Sequence, residues 1–201
     1  GISIPLRSTT MPLTHLPAAA RTPKPWKNGG GVTTDVWVHP EGAGLDDFLA
    51  RVSIAEVASD GPFSIFAGID RTTAILGGAG FDLPFGHDAT HRLTCDAAPL
   101  AYPGDLPAES RLIDGTTLDL NAMTRRGRAA HDMRRLVLDG ALELTVEPMT
   151  LLLLAEGAVD IKAGDETLRL GPLDACLVSR PERLKLIPTR KAVMFSVRFG
   201  L

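Results

Sequence analysis

The chain is poor in cysteine and has no excess of basic residues. Its 201 residues include only Cys95 and Cys176, which do not stand in a spacing typical of metal or redox sites. Two such cysteines argue against a disulfide framework and favour a reducing, cytoplasmic environment. The 21 Lys and Arg residues are outnumbered by 24 Asp and Glu residues, which gives a net charge of −3. This balance argues against a nucleic-acid partner, because nucleic-acid-binding proteins usually carry a basic excess.

Long apolar runs are also missing. The longest, residues 150–155, has the length of a β-strand and is far shorter than the roughly 20 residues of a transmembrane helix. Prolines interrupt residues 1–20, so we expect no secretory signal peptide there. Long amphipathic helical patterns are absent as well, and only residues 45–49 suggest a short helix. These absences predict a protein without a membrane partner.

Short runs of alternating apolar and polar residues recur along the chain, separated by Gly, Pro and Asp. This pattern predicts an all-β sandwich or barrel. Similar rhythms around residues 72–83 and 150–178 suggest two β units. Prolines near residues 99–107 place their boundary between residues 11–105 and 106–201, and the prediction allows strands to be exchanged between the two units. The predicted strands are residues 32–38, 51–57, 72–76, 111–113, 117–122, 135–138, 142–146, 151–155, 159–162, 167–170, 175–178, 184–187 and 192–198.

Histidines in a metal-ligand spacing are lacking too. His87 and His91 stand four residues apart, but on a strand that spacing separates side chains by about 13 Å, which is too far for a shared metal. No Gly-x-Ser-x-Gly elbow marks a nucleophilic serine. We therefore expect no metal or other cofactor, and no catalytic residue stands out.

What the sequence does contain is an unusual polar, glycine-rich segment at residues 25–33. Trp26, Lys27 and Asn28 precede three consecutive glycines, which suit a close approach of the backbone to another group. Free glycine N–H groups can form an anion-binding concavity. The alternative is a glycine-rich hairpin turn with Trp26 as a core anchor.

Polar residues also recur on single strand faces. Arg51 shares a face with Ser53, and Asp119 shares a face with Asn121. These faces suit either a ligand-lined interior or a solvated outer surface. The sequence alone leaves both open.

Arginines follow or flank these polar strands. Arg71 follows Asp70 beside an apolar run, and Arg125 and Arg126 follow the strand that carries Asn121. Because the planar guanidinium matches a carboxylate in bidentate geometry, such residues suit a carboxylate ligand. A solvated loop is the alternative.

Taken in order, these segments resemble the HutD/Ves family. The motifs are Pro-Trp-Lys-Asn-Gly-Gly-Gly-x-Thr at residues 25–33, Arg-x-Ser-Ile-Ala at 51–55, Gly-Pro-Phe-Ser-x-Phe-x-Gly-Ile-Asp-Arg at 61–71, Leu-Ile-Asp-Gly at 112–115 and Asp-Leu-Asn-x-Met-x-Arg-Arg-Gly at 119–127. The resemblance spans about residues 11–200. It implies a bicupin, meaning two cupin-like barrels in one chain. Ala50 departs from the family, which often has tryptophan there.

The resemblance also implies a role in histidine utilisation. We expect a protein that regulates or buffers this pathway by binding an acidic intermediate, such as urocanate or a formyl- or formimino-glutamate. The alternatives are a metal-free enzyme acting on a small carboxylate and a protein-interaction β module. A homodimer is expected by analogy with other barrels of this kind.

The segments together define a predicted site. Asp70 and Asp119 are expected to hold arginines in place from behind the ligand. The residues predicted to contact the ligand are Trp26, Lys27, Asn28, Gly29, Gly30, Thr33, Ser53, Ser64, Arg71, Asn121, Arg125 and Arg126.

Overall fold

A computed structural model describes residues 12–85 and 89–201, and it is built almost entirely of β-strands. The all-β prediction is confirmed, and the helical element found in these residues is a single 3-10 turn, Ala18–Ala20. No helix in the described part is long and apolar enough to span a membrane. The strands are β1 (Leu13–Leu16), β2 (Pro23–Pro25), β3 (Gly31–His39), β4 (Ala50–Val57), β5 (Gly61–Pro62), β6 (Ile69–Gly77), β7 (Phe81–Pro84), β8 (Thr90–Leu93), β9 (Leu100–Pro103), β10 (Glu109–Leu112), β11 (Thr117–Arg125), β12 (Ala130–Leu138), β13 (Leu142–Val146), β14 (Thr150–Ala163), β15 (Glu166–Leu170), β16 (Ala175–Val178) and β17 (Glu182–Gly200).

The strands form three antiparallel sheets. A six-stranded sheet has the order β2-β3-β4-β11-β6-β9, and a four-stranded sheet has the order β5-β10-β7-β8. A seven-stranded sheet has the order β1-β16-β14-β17-β12, with β13 beside β17 and β15 beside β14. The strand pairing of the described residues does not close any of these sheets into a barrel. Strands cross the predicted boundary at residues 105 and 106, because β1 joins the C-terminal sheet while β10 and β11 join N-terminal strands.

Two long strands replace four of the predicted short ones. The sequence predicts breaks at residues 156–158 and 188–191, but β14 and β17 run through them. The pairing of these strands shifts around Glu156 and Ala158, which is the signature of a β-bulge. Gly157 adopts φ +94° there, a conformation that glycine tolerates without steric cost. The glycine therefore bends the strand and does not end it.

The short helix predicted at residues 45–49 is wrong. The segment makes a single turn, in which the Phe48 N–H donates to the Gly44 carbonyl oxygen at 3.1 Å. Helix nucleation is unfavourable in so short a segment. The completely buried Phe48 ring instead fixes the loop against Ile69 and Met123.

The six-stranded sheet has one apolar and one polar face. Side chains such as Val52 and Leu120 face the seven-stranded sheet and pack against Phe195 and Phe199 in a common core. Alternation along a strand sends the intervening side chains to the opposite face. On that face the buried residues include Ser53 and Asn121, so a polar surface lies where a core would ordinarily continue.

Candidate functional site

The polar face of the six-stranded sheet forms the floor of a cavity of about 440 Å³. Strands β4, β6 and β11 supply the centre of the floor. Around it lie β2 and the turn after it, Thr33 of β3, Leu45 of the loop before β4, and β5 with the loop after it. The lining residues are Lys24, Pro25, Trp26, Lys27, Asn28, Thr33, Leu45, Arg51, Ser53, Ala55, Pro62, Phe63, Ser64, Phe66, Arg71, Asp119, Asn121 and Met123.

Strand register brings distant parts of the sequence together in the floor. Asn121 of β11 lies opposite Ser53 of β4, and Asp119 lies opposite Ala55. On the other side of β11, Met123 lies opposite Arg71 of β6. Because β11 sits between β4 and β6, its polar residues occupy the centre of the floor.

Arg71 is a buried cation surrounded by aromatic rings. Its guanidinium carbon lies 5.6 Å from the centre of the Phe63 ring, 5.3 Å from that of Phe66 and 5.3 Å from that of Tyr102. Such contacts stabilise a cation that is shielded from water. The guanidinium donates to the Ser64 carbonyl oxygen at 3.2 Å, but its Nε has no partner among the described residues.

Asn121 connects the floor residues through hydrogen bonds. Its Oδ1 accepts from Arg71 at 3.1 Å and from the Thr73 hydroxyl at 2.8 Å, while its Nδ2 donates to Oδ1 of Asp119. Because the Thr73 hydroxyl already donates to Asn121, the Tyr102 hydroxyl, 2.9 Å away, donates to Thr73. Burial raises the pKa of Tyr102, which keeps this donor protonated. The network holds the amide of Asn121 in one orientation.

Asp119 is an acidic residue of the cavity lining whose pKa is strongly shifted. Its side chain is completely buried, and this burial raises its pKa to about 7, against the opposing effects of Arg71, Asn121 and the backbone N–H of Ala55. Its Oδ2 accepts no hydrogen bond from any residue of the described chain. The sequence predicts that Asp119 lies behind the ligand and holds an arginine in place. The structure places it in the cavity lining, where it contacts Asn121.

The turn after β2 forms the rim of the cavity. The Trp26 Nε1–H donates to the Thr33 hydroxyl at 2.6 Å, which fixes the indole across the turn. Lys27 and Asn28 are exposed at the rim. The rim therefore presents an exposed cationic side chain above the buried floor.

The consecutive glycines build this turn and do not line the cavity. Gly29 adopts φ +72°, and its N–H donates to the Trp26 carbonyl oxygen at 3.1 Å. The Gly30 N–H donates to Oδ1 of Asn28 at 2.8 Å. A Cβ at Gly31 would clash with the Glu56 carbonyl oxygen and would meet the Trp26 ring at 3.1 Å. Because the N–H groups of Gly29 and Gly30 are used within the turn, they are not free to bind an anion.

Three other predicted residues lie away from the cavity. Arg125 donates to the carbonyl oxygens of Phe48 and Asp46, at 3.0 and 3.1 Å. Arg126 pairs with Asp70 at 2.9 Å and with Asp105 at 2.8 Å. Arg125 holds the loop that precedes β4, and Arg126 joins the start of β6 to the loop after β9. Asp70 supports Arg126 and not Arg71.

Several lining residues were not singled out from the sequence. Phe63 and Phe66 lie in the motif at residues 61–71, but their loop has no periodicity that indicates a shared cavity. Arg51, noted only as a neighbour of Ser53, pairs with Asp35 at 2.7 Å. The basic residue Lys24 stands just before the glycine-rich motif. Ala50, which stands where the family often has tryptophan, faces the apolar core. This difference therefore lies on the side of the sheet opposite the cavity.

Metal-ligating side chains do not gather in the described part of the chain. Residues 12–85 and 89–201 contain no group of three or more His, Cys, Asp and Glu side chains that could hold a metal. His91 is exposed on β8, and His87 lies outside the described residues. The polar side chains that line the cavity therefore include its cations, the amides of Asn28 and Asn121 and the carboxylate of Asp119.

The fold defines the class of protein, which is an all-β, cupin-like one. A cupin 2 conserved barrel domain protein from Leptotrichia buccalis superposes with a TM-score of 0.56 at 10% identity, covering 89% of this chain and 92% of that one. At such identity the likeness concerns the fold alone.

The particular family follows from closer matches. The chain belongs to the HutD family, whose model matches residues 18–195, and the resemblance drawn from the motifs is confirmed. A Pseudomonas putida protein described as an uncharacterized 21.2 kDa protein in the hutC 3' region is 36% identical over 156 residues, which are 76% of this chain and 79% of that protein. Protein Ves of Cronobacter sakazakii is 36% identical over 110 residues, which are 54% of this chain and 59% of Ves. These names link the family to histidine utilisation.

Two solved structures of related proteins share the whole fold. A conserved protein of unknown function from Pseudomonas aeruginosa PAO1 has a TM-score of 0.87 at 27% identity, covering 94% of this chain and 99% of that one. HutD from Pseudomonas fluorescens SBW25, determined in a formate condition, has a TM-score of 0.75 at 25% identity, covering 94% of this chain and 100% of that one.

Proposed function

We propose that this protein binds a small acidic intermediate of histidine catabolism in the cavity and thereby regulates or buffers histidine utilisation. The observation that carries the proposal is Arg71, a buried guanidinium in the cavity lining with an unpartnered Nε among the described residues. A carboxylate is the group that best matches such a donor. Lys24 and Lys27 add positive charge at the rim. Urocanate, formylglutamate and formiminoglutamate all carry a carboxylate.

The names of the relatives support the pathway. The hutC 3' region gives the Pseudomonas putida relative its name, and the Pseudomonas fluorescens relative is named HutD. We also infer that the cavity belongs to the first of two cupin-like units. The core beneath the seven-stranded sheet supports this, since it is filled by aliphatic side chains such as Leu152, Leu184 and Met194.

A thermal-shift experiment tests the proposal. Urocanate or formylglutamate at millimolar concentration should raise the melting temperature, because a ligand that binds only the folded state stabilises it. Arg71→Gln should abolish that rise, and Lys27→Ala should reduce it without loss of the fold, since Lys27 is exposed. Arg126→Gln is the matched control, because Arg126 pairs with carboxylates outside the cavity. No rise with any intermediate of the pathway would refute the proposal.

A second candidate is a metal-free enzyme acting on a small carboxylate. The observation that favours it is Asp119, a cavity-lining acid whose pKa is raised to about 7 by burial. Acids and bases with a pKa near the working pH are suited to proton transfer. Turnover of a bound intermediate that Asp119→Asn abolishes would establish this function, and an unchanged ligand after long incubation would exclude it.

A further inference from the structure

The cavity holds a buried cation and a buried carboxylate that do not form a direct ion pair. The ion pairs of the described residues do not include one between Arg71 and Asp119. Asn121 stands between them, with its Oδ1 on Arg71 and its Nδ2 on Asp119. The amide therefore keeps the opposite charges apart on one cavity wall.

Each charged group retains an unused hydrogen-bonding atom. Within residues 12–85 and 89–201, Nε of Arg71 and Oδ2 of Asp119 are both buried without a partner. A buried polar atom without a partner costs about 1–3 kcal/mol, and more when it is charged. Arg71 and Asp119 both line the cavity, so a molecule bound there would complete these hydrogen bonds.

The two groups require opposite chemistry from that molecule. Arg71 can only donate, so it requires an acceptor such as a carboxylate. An ionised Asp119 can only accept, so its Oδ2 requires an N–H or O–H. A simple anion satisfies the first group and places its own negative charge near the second.

We propose that the cavity selects a dipolar ligand, in which a carboxylate accepts from Arg71 and an N–H group donates to Oδ2 of Asp119. This inference rests on the proposed function and narrows its ligand. Among carboxylates it favours those that carry an imidazole or amidine N–H. Asp119 is then a specificity-determining residue, and Asn121 positions it.

A pair of matched probes tests the N–H contact. Urocanate carries a ring N–H, whereas 3-(2-furyl)acrylate has the same carboxylate on a ring of similar size without that N–H. Calorimetric titration at about pH 8 keeps Asp119 mostly ionised, since its pKa is about 7. We expect urocanate to bind the unmodified protein about tenfold to a hundredfold more tightly than the furan compound, as for a hydrogen bond to a charged group.

Asp119→Asn should remove most of this preference, because it weakens the binding of urocanate but not that of the furan compound. Asp119→Ala serves as a second variant, because it removes the acceptor entirely. Asp70→Asn is the matched control, since Asp70 pairs with Arg126 away from the cavity, and it should keep the full preference. Circular dichroism verifies that each variant is folded.

The outcomes separate this inference from the proposed function. Equal binding of both probes to the unmodified protein would overturn the dipolar ligand and leave carboxylate binding standing. An equal loss of affinity for both probes in both Asp119 variants would also overturn the dipolar ligand, because Asp119 would then have only a structural role. Binding of neither probe would overturn the inference together with the proposed function.

Discussion

Replacing Asp119 by asparagine should change how the stability of the protein depends on pH. The folded protein raises the pKa of Asp119 from 3.8 to about 7 through burial, so the folded state holds a proton that the unfolded chain releases. Stability is therefore highest when both states are protonated and falls as the pH rises from about 4 to about 7. At 1.36 kcal/mol per pKa unit, the full decrease is roughly 4 kcal/mol, on the order of a third or more of a typical domain's stability.

The asparagine variant lacks this proton and should not show the decrease. Urea unfolding of both proteins between about pH 4 and about pH 8 gives the free energy of unfolding at each pH. We expect the difference in free energy of unfolding, Asp119→Asn minus the unmodified protein, to rise by roughly 4 kcal/mol from the lowest to the highest pH. Any destabilisation by the asparagine itself is the same at every pH and does not change this rise. Asp96→Asn is the control, since the Asp96 side chain is 98% exposed. Parallel curves for Asp119→Asn and the unmodified protein would refute the reasoning.

Two further predictions concern packing next to the glycine-rich turn and in the loop before β4. Gly31→Ala should destabilise the protein by about 1–3 kcal/mol, because the new Cβ clashes with the Glu56 carbonyl oxygen and crowds Trp26, whereas Gly140→Ala, with open space around it, should have little effect. Phe48→Ala should cost about 3–5 kcal/mol because the ring is completely buried, and Leu45→Ala, at a side chain 58% exposed, should cost far less. Urea midpoints measure both pairs, and equal losses within either pair would contradict the packing argument.

The sequence predicts most of the strands because alternation records which side of a sheet each residue faces. The predicted strand at residues 142–146 coincides with β13. The prediction fails at β14 and β17, where glycine and proline are read as turn signals. Gly157 there permits a bulge, and only the pairing with a distant strand determines that the chain continues.

The site is predictable to the extent that its residues lie on strands or in the turn before β3. Lys27, Ser53 and Asn121 line a common cavity, as the motifs suggest. Local pattern cannot predict the positions of Arg125 and Arg126, since their partners are carbonyl and carboxylate groups far away in the sequence. The prediction that the glycine N–H groups bind an anion fails for the opposite reason. Their hydrogen-bond partners are close in sequence, within the turn itself.

The two halves of the molecule place different demands on their interiors. The core beneath the seven-stranded sheet is aliphatic and needs only dense packing. The six-stranded sheet instead buries Arg71, Asp119 and Asn121, whose desolvation opposes folding unless hydrogen bonds compensate. Asn121 supplies part of this compensation but leaves one atom of each charged group unsatisfied. A core serving stability alone would hold apolar residues at these positions, and the dipolar carboxylate ligand proposed above would satisfy the atoms that Asn121 leaves without partners.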